Sequence, residues 1–172
     1  MLLRLALVFF ALGCTVRPLH AQADGVEHWV VQHPSDFATL PAPIRSSLEQ
    51  RGCTIAQDTS RHRPHNVIRG QFERPGQQDW AVLCMRGQST QLLIYWESRV
   101  ARLDSLSVDI PRDHPDIEIA DPTYITEHAE FYGWPDSLPR SIVHYGVELG
   151  SGCCSHIYYR EAGRWILTPG AD

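Results

Sequence analysis

The chain has 172 residues, of which 15 are basic and 20 are acidic, so its net charge is −5 with the histidines neutral. This length is that of one ordinary globular domain. No basic cluster interrupts the acidic balance, which argues against nucleic acid and against an anionic membrane surface as partners.

The first 23 residues have the pattern of a secretory signal peptide. Arg4 supplies the positive charge, an apolar run follows at residues 5–12, and Ala21-Gln22-Ala23 forms a cleavage site. The apolar run is far shorter than the ~20 residues that span a bilayer. We therefore expect cleavage after Ala23, one domain at residues 24–172, and a periplasmic or extracellular location. The alternative is a lipoprotein anchored at Cys14, because the preceding Ala-Leu-Gly resembles a lipidation box.

The segment before residue 65 predicts one strand and one helix. Residues 28–31 suit a short strand. Ile44 and Leu48 recur at the helical period, so we expect a helix over residues 42–51 that packs on a sheet. Residues 55–64 are polar and predict a surface connection.

A three-stranded antiparallel meander is expected next, and the rest of the chain is organised around it. Its strands lie at residues 66–72, 80–85 and 91–96, and two short polar turns join them. The middle strand is apolar on both faces, so it needs cover on both sides and should be central in its sheet.

Beyond the meander, alternating apolar residues predict strands near residues 105–110 and 117–119. Asp121 and the proline after it are helix-start signals, so a helix should run from there to about Tyr132. A hairpin is expected at residues 155–168. Together these elements predict an α+β fold, with an antiparallel sheet of about five to seven strands and two helices packed on one face.

Four cysteines follow the signal peptide, at Cys53, Cys84, Cys153 and Cys154. An even number in an exported chain suggests disulfides, although the sequence leaves three pairings open. We expect Cys53–Cys84, which would join the segment after the first helix to the central strand and stabilise the fold by about 3–4 kcal/mol. Cys153 and Cys154 would then form a vicinal disulfide, a free thiol pair or an intermolecular link.

One turn of the meander carries a family resemblance. The pattern is Gly70-x-Phe72-x-x-Pro75-Gly76-x-x-Asp79-Trp80-Ala81-Val82-Leu83. It resembles the strand–turn–strand of an FG-GAP or VCBS-type repeat, in which the turn is an Asp/Asn-rich calcium loop. This turn departs from that pattern because its only carboxylates are Glu73 and Asp79, and a single copy does not imply a propeller. Residues 76–84 and 158–172 are also similar to segments of small secreted bacterial proteins of unknown function.

Three groups of residues are candidates for chemistry. His62 and His65 could share a metal in a loop. An acidic run could bind a hard cation or supply acid–base carboxylates; it consists of Asp109, Asp113, His114, Asp116, Glu118 and Asp121. Cys153, Cys154 and His156 are ligands that suit zinc or Cu(I), against which a disulfide-stabilised hairpin is the more ordinary interpretation.

No nucleophile elbow, phosphate loop or dinucleotide fingerprint occurs in the sequence, so we assign no catalytic residue and no cofactor. We expect a non-catalytic exported binding or interaction module, with Trp134, Tyr145, His114 and Asp116 as possible binding residues for a protein or cell-envelope ligand. The alternative is an exported hydrolase that uses histidines and carboxylates from the loops at residues 62–65 and 113–118. A minor alternative is thiol or metal handling at the Cys153–His156 segment.

Overall fold

The computed structural model describes residues 29–61, 64–109, 116–151 and 154–170. Within these ranges ten strands form three antiparallel sheets and only two α-helices accompany them, so the fold is mostly β rather than the α+β arrangement expected. In chain order the elements are β1 (Trp29–Gln32), α1 (Ala42–Gln50), β2 (Ile55–Asp58), β3 (Val67–Gly70), β4 (Asp79–Arg86), β5 (Ser89–Tyr95), β6 (Leu103–Val108), β7 (Asp116–Ala120), α2 (Pro122–Tyr132), β8 (Gly146–Ser151), β9 (Cys154–Glu161) and β10 (Arg164–Pro169).

The expectation of one sheet with both helices on the same face is wrong. The meander forms a four-stranded sheet in the order β3-β4-β5-β6, the last four strands form a second sheet in the order β10-β9-β8-β7, and β1 pairs with β2 in a third. The physical reason is that β4 and β5 are apolar on both faces. Two helices on one face would leave the other apolar face in water, and a second sheet covers it instead.

On its outer side, the first large sheet is covered by α1. Ile44 and Leu48 of this helix pack beside Trp80, Val82 and Tyr95, and both helical side chains are fully buried. Burying a leucine or isoleucine side chain contributes about 1.5–3 kcal/mol. The predicted packing of α1 on the sheet is therefore confirmed.

The opposite face of this sheet packs on the second large sheet. Leu83, Leu92 and Ile94 from the meander share one cluster with Ile117 and Leu149 from the C-terminal strands. Alternation along each strand explains the arrangement, because neighbouring side chains of β4 point to opposite faces. Leu83 is therefore in the middle of the molecule, between two sheets.

The fourth layer is α2, which covers the outer face of the second large sheet. Ile125 and Ala129 are fully buried there and pack with Ile157, Tyr159 and Ile166. The two helices thus cover opposite outer faces of a two-sheet sandwich, each on its own sheet.

The predicted second helix, which starts at Asp121 and its proline and runs to about Tyr132, is confirmed. The Asp121 carboxylate accepts a hydrogen bond from the backbone N–H of Tyr124 at 2.9 Å, and Gly133 follows the last helical residue with a φ of 97°. The predicted surface connection at residues 55–64 is wrong in its first part, because residues 55–58 form β2 and pair with β1. Gln57 is buried there, and its amide oxygen accepts a hydrogen bond from the backbone N–H of His65.

The predicted disulfide is present. Cys53 and Cys84 are bonded across a sequence separation of 31 residues, and both are buried. A buried disulfide of this kind is typical of a chain that folds in an oxidising, exported compartment. Neither helix in the described part of the chain is long and apolar enough to cross a bilayer.

The turn between β3 and β4 is held by a buried carboxylate. Asp79 is fully buried and accepts hydrogen bonds from the backbone N–H groups of Phe72 (2.9 Å) and Glu97 (2.8 Å) and from the Gln77 side chain (2.7 Å). Glu97 adopts a φ of 53°, in the left-handed region. The carboxylate therefore ties the β3–β4 turn to the turn after β5.

A separate cluster of polar and aromatic side chains links the two large sheets. The guanidinium of Arg160 lies 5.3 Å from the ring centroids of both Trp96 and Trp165, and its Nη1 is 2.7 Å from a carboxylate oxygen of Asp104. The Trp165 indole N–H donates to the same oxygen at 3.0 Å. This cluster fixes β9 and β10 against the end of the meander.

Candidate functional site

Two edge strands, one from each large sheet, lie next to each other. β3 is the outer strand of the first sheet and β7 is the outer strand of the second. Asn66, which is fully buried with a φ of 61°, links them. Its side-chain oxygen accepts the backbone N–H of Ile117 at 2.9 Å, and its amide nitrogen donates to Ala56 at 2.9 Å.

Beside the Asn66 link, the two strands border a cleft of about 360 Å³, which we call the edge cleft. Its lining comprises residues 67–69 of β3, residues 117–119 of β7, and Arg61, Pro64 and His65. The β7 wall contains Ile119, a large apolar residue that is 42% exposed. Edge strands with exposed apolar residues are templates for pairing with another chain.

Backbone hydrogen-bonding groups point into the edge cleft. The Asn66 carbonyl accepts from Leu83 of β4 at 3.0 Å, so by the alternation of an antiparallel ladder Val67 and Arg69 direct their backbone groups away from β4. Ile117 directs its N–H away from β8, to Asn66, and Ile119 has the same orientation two residues later. Among the described residues, Val67, Arg69 and Ile119 make no backbone hydrogen bond on this outward side.

A second, acidic pocket of about 340 Å³ adjoins the edge cleft, and Arg61 and Glu118 line both. We call it the acidic pocket; its other lining residues are Asp116, Tyr124, Glu148, Gly150 and Ser155. The Arg61 guanidinium is 2.7 Å from the Glu118 carboxylate and also donates to Asp116. Burial raises the pKa of the Asp116 carboxyl, and the Arg61 charge counteracts that rise only in part.

The acidic pocket brings together carboxylates that repel each other. Glu118 and Glu148 are directly opposite in the β7–β8 ladder, an arrangement of like charges that destabilises a sheet. Glu148 accepts hydrogen bonds from the hydroxyls of Tyr124, at 2.7 Å, and Ser155. Among the residues that the structure describes, three carboxylates and one guanidinium line this pocket.

His65 lines the edge cleft but is held as a structural residue. It is only 4% exposed, and its Nε2 accepts the backbone N–H of Asp58 at 3.1 Å. This contact assigns the proton of the neutral ring to Nδ1, which has no hydrogen-bond partner among the described residues. Burial, and then the nearby Arg61 charge, lower the pKa of His65. The lone pair that a general base needs is thus already in use.

Of the residues predicted for binding or hydrolysis, the structure brings His65 and Asp116 to adjoining pockets. His62, Asp113 and His114 lie outside the described residues, so the hydrolase hypothesis stays a prediction. The metal pair of His62 and His65 stays a prediction for the same reason.

The two predicted binding aromatics lie in different parts of the fold. Trp134 packs with the α2 cluster, donates its indole N–H to Leu138 at 3.0 Å, and has the Arg140 guanidinium 5.2 Å from its ring centroid. Tyr145 packs on the cluster between the two large sheets. Both side chains are half-buried, and neither lines the edge cleft. Their role in binding stays a prediction.

The proposed thiol or metal site at Cys153, Cys154 and His156 is also untested. Cys153 lies outside the described residues, whereas Cys154 and His156 are exposed on β9. In the described ranges no group of three or more histidines, cysteines and carboxylates has a geometry that could hold a metal ion.

The structure adds residues that the sequence interpretation missed. Arg61 reaches Asp116 across 55 residues of sequence, and Asn66 links the two sheets across 51 residues. Ile119 was expected only as a strand residue. No local pattern marks these contacts, because each depends on which strands become neighbours. Comparison with known proteins finds no matching family model, no similar curated protein and no similar solved structure.

Proposed function

We propose that this protein is an exported, non-catalytic binding module that takes an extended polypeptide segment at the exposed edge of β7. The observation that carries the proposal is the edge cleft, where the backbone groups of Ile119 face outward without a partner among the described residues. Addition of a strand to a sheet edge is a recurring mode of peptide recognition, in which main-chain hydrogen bonds supply affinity.

The walls of the edge cleft suit such a segment. An added strand would find exposed apolar surface in Ile119 and a second wall in β3, while Pro64 borders the same cleft. Natural sheet edges are commonly blocked by prolines, lysines or bulges, and β7 (Asp-Ile-Glu-Ile-Ala) contains no proline or lysine. The two acidic residues of β7 are the part of this edge that would restrict which segments bind.

The export part of the proposal rests on the signal-peptide pattern of residues 1–23 and is supported by the buried Cys53–Cys84 disulfide. Cleavage after Ala23 would release a chain that starts at Asp24 into the periplasm or the medium. Intact-mass measurement of the protein recovered from those fractions separates this product from a chain that begins at a lipidated Cys14, which would be heavier by its acyl groups.

The binding proposal is tested with Ile119→Pro. This substitution removes the outward N–H while sparing the ladder bonds to β8, because proline is tolerated where an edge N–H faces solvent. Nine-residue linear peptides, capped at both ends, are selected from a random library on the wild-type protein. We expect the selected peptides to lose about tenfold in affinity for Ile119→Pro, the effect of about one backbone hydrogen bond.

Two matched controls define the outcome. Ile119→Ala keeps the N–H and shortens the side chain, so we expect it to weaken binding less than proline does. Leu167→Pro places the same residue at an outward, 53% exposed position of β10, the opposite edge of the same sheet, and should leave peptide affinity unchanged. Selected peptides that bind Ile119→Pro as tightly as the wild type, with circular dichroism showing both folded, would overturn the proposal.

A further inference from the structure

We propose that a separate pocket, formed where the β3–β4 turn meets the turn after β5, binds the phosphate group of a small soluble phosphate ester. The pocket has a volume of about 690 Å³ and is lined by residues 74–78 and 97–99, and we call it the turn pocket. Every residue of both turns is described, since they lie within residues 64–109. The turn pocket shares no lining residue with the edge cleft, so this proposal is independent of peptide binding at β7.

Arginines from both walls of the turn pocket converge on one carboxylate, that of Glu97. Arg74 Nη2 lies 2.8 Å from its Oε1, and Arg99 Nη1 lies 3.5 Å from its Oε2. Arg102, which stands behind the lining residues, is 2.9 Å from the same carboxylate and also reaches Glu73 at 3.3 Å. The two guanidinium groups that line the pocket therefore share a single negative charge.

The guanidinium groups of Arg74 and Arg99 retain hydrogen-bond donors for a ligand. Their side chains are 63% and 68% exposed, respectively. A guanidinium has five N–H donors. Arg74 uses one of them toward Glu97, and the guanidinium of Arg99 makes no hydrogen bond to any described residue. An oxyanion in the pocket can therefore accept hydrogen bonds from both arginines while Glu97 keeps its contacts.

The walls of the turn pocket are fixed relative to each other. The Asp79 carboxylate is fully buried, and it accepts the backbone N–H groups of Phe72, before the first turn, and of Glu97, in the second. The Ser98 hydroxyl donates to the carbonyl oxygen of Gln78 at 3.1 Å, which joins the two turns directly. Donors held in place before a ligand arrives lower the entropic cost of binding it.

Guanidinium groups on two walls suit a tetrahedral phosphate better than a planar carboxylate. The two oxygens of a carboxylate lie in one plane and match the fork of a single arginine. A phosphate monoester has three acceptor oxygens and up to two negative charges near neutral pH. One oxygen can accept from Arg74 while another accepts from Arg99.

The size of the turn pocket and the charge of the chain indicate a soluble ester as the source of the phosphate. A volume of about 690 Å³ leaves room for the organic part of a small ester beside its phosphate group. The net charge of −5 opposes adhesion to an anionic membrane, so a lipid headgroup is the less favourable source.

Titration of ¹⁵N-labelled protein with inorganic phosphate and with glycerol 3-phosphate, at constant ionic strength and neutral pH, tests the site. We expect saturable shifts of the backbone amide signals in residues 74–78 and 97–99, with a dissociation constant on the order of 1 mM. Arg99→Gln should weaken binding of both compounds about fivefold, and Arg74→Gln/Arg99→Gln should abolish the saturable shifts. Arg86→Gln, which replaces an exposed arginine at the other end of β4, is the charge-matched control and should bind like the wild type.

Acetate and phosphatidylglycerol vesicles complete the test. Acetate, with one charge and a planar group, should bind more weakly than phosphate, and equal affinity would overturn the assignment to phosphate. Vesicles should not sediment the protein, and sedimentation that is lost in Arg74→Gln/Arg99→Gln would overturn the soluble ester as the source. Phosphate-induced shifts that fail to saturate, that lie outside the two turns, or that persist in the double variant would overturn the site itself.

Discussion

Replacement of the buried Asp79 tests whether its hydrogen bonds to the two turns stabilise the fold. In Asp79→Ala the backbone N–H groups of Phe72 and Glu97 lose their acceptor, whereas Gln77 keeps a second contact to Glu73 at 3.2 Å. A buried donor left unsatisfied costs about 1–3 kcal/mol. Two such donors and the lost packing predict a decrease of about 3–5 kcal/mol in the free energy of unfolding, a large part of the stability of an ordinary domain.

Urea denaturation, followed by tryptophan fluorescence and circular dichroism, measures this decrease. The free energy of unfolding of Asp79→Asn should lie between those of the wild type and Asp79→Ala. The carbonyl oxygen of asparagine still accepts one hydrogen bond, but its NH₂ group faces another donor in place of the second carboxylate oxygen. Glu130→Ala removes an exposed carboxylate and should change stability by less than about 0.5 kcal/mol. An Asp79→Ala protein that loses less than about 1 kcal/mol, with an unchanged m-value, would refute the assigned role of this carboxylate.

Two further predictions concern stability. The double variant Cys53→Ala/Cys84→Ala should lower the free energy of unfolding by about 3–4 kcal/mol, because the bond closes a loop of 31 residues. Reduction of the wild-type protein should lower its free energy of unfolding by a matching amount. A decrease below about 1 kcal/mol in the double variant would contradict this prediction. His65 has a folded-state pKa below its ordinary value of about 6.5, so the unfolded chain takes up its proton first as the pH falls. The contribution of His65 is therefore complete above pH 6.5 and is lost as the pH falls toward the folded-state pKa. His65→Gln should lose less stability than wild type between about pH 7 and pH 5 in parallel urea titrations, and equal slopes would contradict this assignment.

Those parts of the fold that depend on neighbouring residues could be predicted from the sequence. The Asp121 cap and Gly133 bound α2 because helix ends are set by local backbone needs. The meander was also predictable, since short turns join strands that pair with each other. β2 was missed because it is only four residues long and contains a buried polar residue, Gln57, whose amide bonds to a backbone eight residues away.

The division into two sheets could not be predicted in the same way. Both faces of β4 are apolar, so each face must be covered by another element. The sequence of β4 does not specify whether that element is a helix or a sheet. The choice depends on Leu83 and Ile94 meeting Ile117 and Leu149, which are far away in sequence. The edge cleft has the same origin, since it exists only because β3 and β7 end as neighbouring outer strands. The disulfide could be predicted more easily, because Cys53 follows α1, and α1 was expected to pack on the sheet that contains Cys84.

Each large sheet is built from one uninterrupted stretch of chain, residues 67–108 for the first and 116–169 for the second. A polypeptide that crosses a membrane amino terminus first therefore delivers every strand of the first sheet before any strand of the second. Both partners of the disulfide, Cys53 and Cys84, belong to the earlier part. If the chain is exported in this way, as we propose, oxidation of Cys53 and Cys84 would be completed before Cys153 and Cys154 emerge, and the order of arrival would protect this pairing from mismatched thiols.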